Sequence, residues 1–302
     1  MLYSYNTYKQ MLIDDLNEIL GVDNVKEITM TKNNGVIKEG LCLKLGEGIL
    51  SPVVYFDDTQ QTYSDEHIRE FKEIVRETLL NSKKNVEESM KALMDYEEMK
   101  KYVRPRLVNY KKNKAYLNER SPYLKVMDLA VVFTIPSKDL FPECGDGNIT
   151  VTYPMLESWG VNVDDVYENA IHNLEASGYK FTNIGALICD FFENDEENAE
   201  KNVLNVLTCY GGVNGAVAIL SKAFMNEICK KLGVSSVYAL PSSLHEVLIL
   251  DTANGEPKKL QEIVQEVNES VLAEEDYLSD NVYVYDCVSE RLAIAEDLEN
   301  GD

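Results

Sequence analysis

The stretch Val237 to Asp251 reads V-Y-A-L-P-S-S-L-H-E-V-L-I-L-D, and its pattern decides the fold. Two apolar runs, 237–240 and 247–250, flank a polar knot made of Pro241, Ser242, Ser243, His245 and Glu246. Short apolar runs rich in Val, Ile and Tyr, bounded by turn residues, are the mark of buried strands. The spacing predicts two neighbouring strands of the main sheet, with the knot at the sheet's end where its side chains can face a cleft. His245 is one of only three histidines in 302 residues, and a carboxylate follows it directly.

Upstream, a strand-like run over 203–210 enters G-G-V-N-G-A (211–216) and then a helix reaching Leu232. A glycine-rich turn between a strand and a helix start can cradle phosphate on free N–H groups, which makes Gly211, Gly212 and Asn214 candidate binding residues. The turn lacks the Lys-Ser/Thr of a P-loop and the full spacing of a dinucleotide fingerprint. The competing reading is a tight turn with Asn214 as helix cap. Downstream, a helix over 257–273 has Pro257 in its first turn and carries the well-formed apolar stripe Leu260, Ile263, Val264, Val267 and Val271. Residues 282–285 are expected to form the last strand.

The run V-M-D-L-A-V-V-F-T-I (126–135) reads as one central strand buried on both faces, with Asp128 near its start. Gly145-Asp146-Gly147 predicts a turn into a strand over 149–153, and a helix follows over 164–176. His172 lies off that helix's apolar stripe, one turn beyond Glu168. Two ligands fall short of the three that a catalytic zinc takes from the protein, so the pair reads as a surface pair.

The beginning of the chain predicts a helix over 5–20 and a hairpin turning at Asn33-Asn34-Gly35, where both turn positions tolerate positive φ. A third strand is expected over 52–56, then a helix capped by Ser64 with His67 solvated in its first turn, and a helix over 86–102. The fold class is α+β. Mixed or antiparallel sheets carry flanking helices, with an N-terminal helix plus three-stranded meander and a C-terminal strand–helix region. The organisation reads as 1–125 followed by 126–302, or as one continuous domain.

Charge sharpens that division. Residues 1–125 hold 20 basic and 20 acidic residues, whereas 126–302 hold 9 and 32, so the second region carries the whole net charge of −23. A surface of that sign disfavours nucleic acid and anionic lipid as partners. Lys100 to Lys125 is the exception, with nine basic residues interleaved with Tyr102, Tyr110, Tyr116 and Tyr123. Basic residues among stacking aromatics suit a single-stranded nucleic acid groove, with Arg104, Arg106, Lys111 and Lys112 as candidates. The alternative is that this segment answers the acidic region of the same protein.

No apolar run reaches the ~18 residues that a membrane-spanning helix needs. The opening M-L-Y-S-Y-N-T-Y-K has neither the basic start nor the apolar core of a signal peptide, so the expectation is a cytoplasmic protein. Its six cysteines contain no C-x-x-C pair and are expected as free thiols. No cofactor and no metal site is expected.

Four segments, N-N-G-V-I-K-E-G-L (33–41), S-P-V-V-Y-F (51–56), D-L-A-V-V-F (128–133) and L-P-S-S-L-H-E-V (240–247), resemble an uncharacterised bacterial family. It is family 5688 of the domains of unknown function, and the resemblance covers nearly the whole chain. It implies one module containing all four segments and transfers no catalytic residue.

Chemistry at the knot takes one specific form. His245 and Glu246 act as general base and partner, Ser242 or Ser243 as nucleophile, and Asp128 orients the imidazole. Against it, adjacent strand residues point to opposite faces, and no G-x-S-x-G elbow is present. The reading that results is a binding or protein-interaction module for an unidentified protein or small molecule. A hydrolase-like enzyme at Pro241 to Glu246 is the first alternative, and nucleic-acid binding through Lys100 to Lys125 the second.

Overall fold

The structure is a computed structural model that describes residues 1–20, 25–43, 53–81, 91–140, 147–184, 204–241 and 243–296. Two compact units emerge, one of residues 1–102 and 135–149, the other of 103–134 and 150–302.

In the first unit β1 (Leu2–Tyr3) leads into α1 (Tyr5–Leu20). Tyr8, Leu12 and Leu16 recur at helical spacing and are fully buried. The meander forms as expected. β2 (Val25–Thr31) pairs antiparallel with β3 (Ile37–Leu43), which pairs with β4 (Val54–Tyr55). The hairpin turns where φ is positive, 58° at Asn34 and 81° at Gly35. β5 (Tyr63–Ser64) pairs with β1 and runs into α2 (Asp65–Asn81). The Ser64 hydroxyl accepts the N–H of His67 at 3.2 Å, the capping bond the sequence implies. The core joins α1 to Leu41, Phe56, Tyr63, Ile68 and Val75, with the Tyr8 and Tyr63 rings stacked at 4.2 Å.

Two expectations for this unit need correction. His67 is not solvated: its ring packs among Tyr8, Tyr63 and Phe71, and Nε2 lies 3.3 Å from an Asp57 carboxylate oxygen. The helix expected over 86–102 is interrupted in its described part. Asp95 is extended and its carboxylate accepts the N–H groups of Glu97 and Glu98, starting the short α3 (Tyr96–Met99) afresh.

The second unit opens inside the basic segment. β6 (Arg104–Asn109) is followed by α4 (Tyr110–Arg120), which Asn109 caps through a bond from Lys112 N–H at 2.9 Å. The apolar run 126–135 is two strands rather than one. β7 (Leu124–Val126) turns at Met127, φ 56°, and at Asp128 into β8 (Leu129–Pro136), so Asp128 sits in the hairpin turn. β8 lies between β6 and β7, and all eight of its residues are buried. β9 (Asn148–Thr150) also pairs with β8. The strand expected to reach residue 153 stops there, because Tyr153 begins α5 (Tyr153–Trp159).

α6 (Val163–Ser177) buries Val166, Ala170 and Leu174 and leaves Glu168 and His172 exposed. A six-stranded antiparallel sheet follows. Its strands are β10 (Lys180–Asn183), β11 (Asn205–Thr208), β12 (Ser236–Leu240), β13 (Val247–Asp251), β14 (Tyr283–Asp286) and β15 (Arg291–Ile294), in the order β10-β11-β13-β12-β14-β15. The two runs of the opening stretch are adjacent strands, with Tyr238 opposite Leu250 and Ala239 opposite Ile249. β15 follows the strand expected to be last. The helix expected over 216–232 is split at Ser221 into a 3₁₀ segment (Gly215–Leu220) and α7 (Lys222–Leu232). α8 (Pro257–Ser270) lies against the sheet through Val264, which packs with Leu240, Leu250 and Val282.

The expectation of six free thiols also fails. Cys229, in α7, and Cys287, just past β14, form a disulfide with Cα atoms 6.6 Å apart. Cys42 and Cys209 are buried thiols. Cys144, Cys189, the acidic run 193–200 and Ser242 lie outside the described residues.

Candidate functional site

The connection between β12 and β13 bonds outward to two other loops of the second unit. Leu244 N–H donates to the Asp276 carbonyl at 2.9 Å, and the Leu244 carbonyl accepts from Ala216 N–H at 3.1 Å. The His245 carbonyl accepts from the Thr208 hydroxyl at 2.6 Å. Three segments distant in sequence therefore meet: the turn after β11, the knot, and the acidic turn Glu274–Asp276. The glycine turn and the knot, two separate candidates in the sequence, meet in one loop cluster.

His245 joins all three. Its Nδ1 accepts from the backbone N–H of Asn214 at 3.2 Å, and Nε2 lies 3.2 Å from Asp276 Oδ1. A backbone N–H can only donate, so Nδ1 is the unprotonated nitrogen and Nε2–H donates to the carboxylate. A Ser-His-Asp triad has the opposite arrangement, with the carboxylate on Nδ1–H and Nε2 facing the nucleophile. The ring is part-exposed, at 40% for the side chain.

The other catalytic candidates among the described residues do not gather around it. The Ser243 hydroxyl is buried and accepts the backbone N–H of His245 at 2.9 Å, so it bonds the main chain and not the imidazole. Glu246 is exposed. Asp128 belongs to a different cluster, where the Ser279 hydroxyl (2.6 Å) and the Tyr283 phenol (2.8 Å) donate to it. Burial first, then the Asp128 charge, hold the Tyr283 phenol far above its usual pKa. The carboxylate that orients His245 is Asp276, 31 residues further along. Nothing in the local sequence singles it out from the acidic residues around it.

The glycine turn is built by backbone conformation. Gly211, Gly212 and Asn214 have φ of 71°, 94° and 56°. Three of its amides are engaged inside the fold: Gly212 N–H bonds the Cys209 carbonyl at 2.9 Å, while Asn214 and Ala216 bond the knot. Gly215 answers to a different constraint. A Cβ there would stand 2.6 Å from both Cys209 N and the His245 carbonyl oxygen, and would collide with the Thr208 hydroxyl. Burial pushes the neighbouring Cys209 thiol up to about 12, which leaves it without nucleophilic character near neutral pH.

The basic candidates meet the same loops. Arg104 and Arg106 are two apart on β6 and share a face. The Arg104 guanidinium lies 4.8 Å from the centre of the Tyr210 ring, at the head of the glycine turn. Burial draws the Arg106 pKa down against the opposing pull of Asp276, Tyr116 and Glu275. Its Nε is sealed from solvent without a hydrogen-bond partner, while the residue as a whole keeps a window to solvent. Lys112 pairs with Glu274 at 2.6 Å and lies 4.1 Å from the centre of the Tyr277 ring. Lys111 is exposed.

The interleaved aromatics are engaged within the segment as well. Lys125 stands 4.9 Å from the centre of the Tyr110 ring, Lys101 4.8 Å from that of Tyr102, and the Tyr123 hydroxyl bonds Asn118 at 2.9 Å. A separate concavity of about 300 Å³ lies in the first unit between α1 and α2. It is lined by Met11, Asp15, Ile68, Arg69 and Lys72 among others, with Lys72 and Asp15 paired at 3.0 Å. Among the described residues no group of three or more His, Cys, Asp or Glu side chains could hold a metal ion, and no helix is long and apolar enough to cross a membrane.

This arrangement of antiparallel sheets, flanking helices and a histidine-fastened loop cluster defines an α+β protein. The chain belongs to the family of unknown function DUF5688, which matches residues 5–287. No curated protein and no solved structure matches it.

Proposed function

We propose that this protein is a binding and protein-interaction module in which His245 is a structural clamp. The observation that carries the reading is that both ring nitrogens of His245 are committed inside the fold, Nδ1 to Asn214 and Nε2 to Asp276. A general base must offer a nitrogen to the proton it takes, and this one has none to offer without first releasing a loop. Among the described residues the hydrolase alternative also lacks a hydroxyl on the imidazole, since Ser243 bonds the backbone.

Against nucleic acid stands the use of Arg104, Arg106 and Lys112 on Tyr210 and on the acidic turn of the same unit. Cytoplasmic placement belongs to the same proposal. The buried thiols of Cys42 and Cys209 accord with it, whereas the Cys229–Cys287 disulfide stands against it because a reducing compartment keeps thiols reduced, so the redox state of that pair in native protein reports the compartment.

The test compares His245→Ala with the parent chain in thermal melting and in turnover of activated esters. The clamp reading expects a lower melting temperature and no turnover by either protein. Turnover by the parent that vanishes in a variant of unchanged melting temperature would overturn it.

A further inference from the structure

The stripe of α8 predicts a covered face, and the sheet covers only part of it. Val264 is buried and Leu260 packs beside it, but Ile263 is 54% exposed, Val267 42% and Val271 80%. Residues 263 and 267 are one helical turn apart, and 271 follows at the helix end, so the three side chains form a row. Single exposed aliphatics are ordinary on any surface. A row of three that adjoins the buried face of an amphipathic helix is an apolar strip open to a partner.

The border of the strip says what kind of partner fits. Glu262, Glu266 and Glu269 are exposed on the same helix, and none of the three is in an ion pair among the described residues. Around a helix axis Glu266 and Glu262 stand next to Ile263 on the side away from Val264. The cations of the helix lie at its start: Lys259 is paired with Glu256 at 2.9 Å, and Lys258 precedes it. The region 126–302, to which these carboxylates belong, carries a net charge of −23. A second copy of the chain would bring the same carboxylate rows together, and like charges across an interface oppose association.

We propose that the row Ile263, Val267 and Val271, with its carboxylate edge, is a docking surface for a basic amphipathic helix of another protein. Apolar side chains of the partner cover the row, and its Lys or Arg side chains meet Glu262 and Glu266. The proposal rests on the interaction reading given above but uses no part of the His245 clamp, so each can fail without the other.

The experiment uses the full chain and a fluorescent synthetic helical peptide with Leu on one face and Lys on its flanks, beside a twin carrying Glu for Lys. Binding is read by anisotropy over a salt series, with melting temperatures recorded for every variant. The Leu/Lys peptide should bind and the Leu/Glu twin should not. The double variant Ile263→Ser with Val267→Ser should weaken binding about tenfold or more at unchanged melting temperature, since both positions face solvent. Glu262→Gln with Glu266→Gln should weaken it and flatten its salt dependence, because screening acts on the charge pairs that this variant removes. Val288→Ser, at an exposed aliphatic elsewhere, should leave affinity unchanged, and so should His245→Ala.

Equal affinity in the Ile263/Val267 variant would place the peptide elsewhere on the acidic surface and overturn the proposal. So would the absence of any binding, or a dimer of the parent chain that the same variant dissolves.

Discussion

The backbone N–H of Asn214 donates to Nδ1 of His245 at 3.2 Å, fastening a turn of left-handed residues to a strand connection 31 residues away. With Asp276 on the opposite nitrogen, one imidazole spans three loops of the second unit. Removing the ring by His245→Ala leaves the Asp276 carboxylate and the Asn214 amide without it. The ring is part-exposed, so the loss is at the lower end for such bonds, about 1–2 kcal/mol. A melting temperature a few degrees lower is the expected result. Unchanged melting would mean that the three loops hold together without the imidazole.

Glycine positions in the turn should respond differently to alanine. Gly215→Ala forces a Cβ against Cys209 N and the His245 carbonyl, both backbone atoms that cannot swing aside. A destabilisation of about 2–3 kcal/mol is expected. Gly211→Ala meets nothing within 4 Å and carries only the strain of φ at 71°, about 1 kcal/mol. Denaturant melts of the two variants should keep that order. The reverse order would show that the turn does not press on the knot.

Much of this was readable in the residues. Alternation and the Asn-Gly pair located the first meander, and the period of the two apolar runs located β12 and β13, because burial of one or both faces imposes those patterns directly. Other features lack any local signature. β6 is hidden since Arg104, Pro105 and Arg106 break its apolar run, and their burial comes from loops far along the chain. Asp276 looks like one more acid in an acidic region, and only the fold brings it to His245. Asp128 looked like a strand residue because nothing in V-M-D-L announces the positive φ of Met127. The row on α8 shows the converse case, where periodicity marks an apolar face but cannot say which protein covers it.

Acid should weaken the first unit through a named ion pair. Lys9, bonded to Glu39 at 2.7 Å, holds that carboxyl below its usual 4.5, and Thr59 heads the groups holding Asp57 below 3.8. Carboxyls depressed in the fold stabilise it above their unfolded pKa and lose that contribution as pH falls through the folded value. Melting temperature should therefore decline below about pH 4.5, and Glu39→Gln should decline less steeply over the same range. Parallel profiles for the two proteins would remove this pair from the account.

Cysteine chemistry should divide the thiols in order. In native protein Cys42 and Cys209 are buried and should resist alkylation, since burial raises the pKa of both thiols, that of Cys209 to about 12. Unfolding without reductant should expose both, while Cys229 and Cys287 should react only after reduction. Peptide mapping by mass spectrometry reads each site separately. Alkylation of Cys229 and Cys287 in unreduced, unfolded protein would restore the expectation of free thiols.

The most direct test of the clamp is the tautomer of His245, read from its two ring ¹⁵N signals by long-range proton–nitrogen correlation. The clamp predicts an unprotonated, hydrogen-bonded Nδ1 and a protonated Nε2, retained in Asp276→Asn because the Asn214 N–H still donates to Nδ1. A protonated Nδ1 with a free Nε2 would be the arrangement of a catalytic base, and would contradict the central claim.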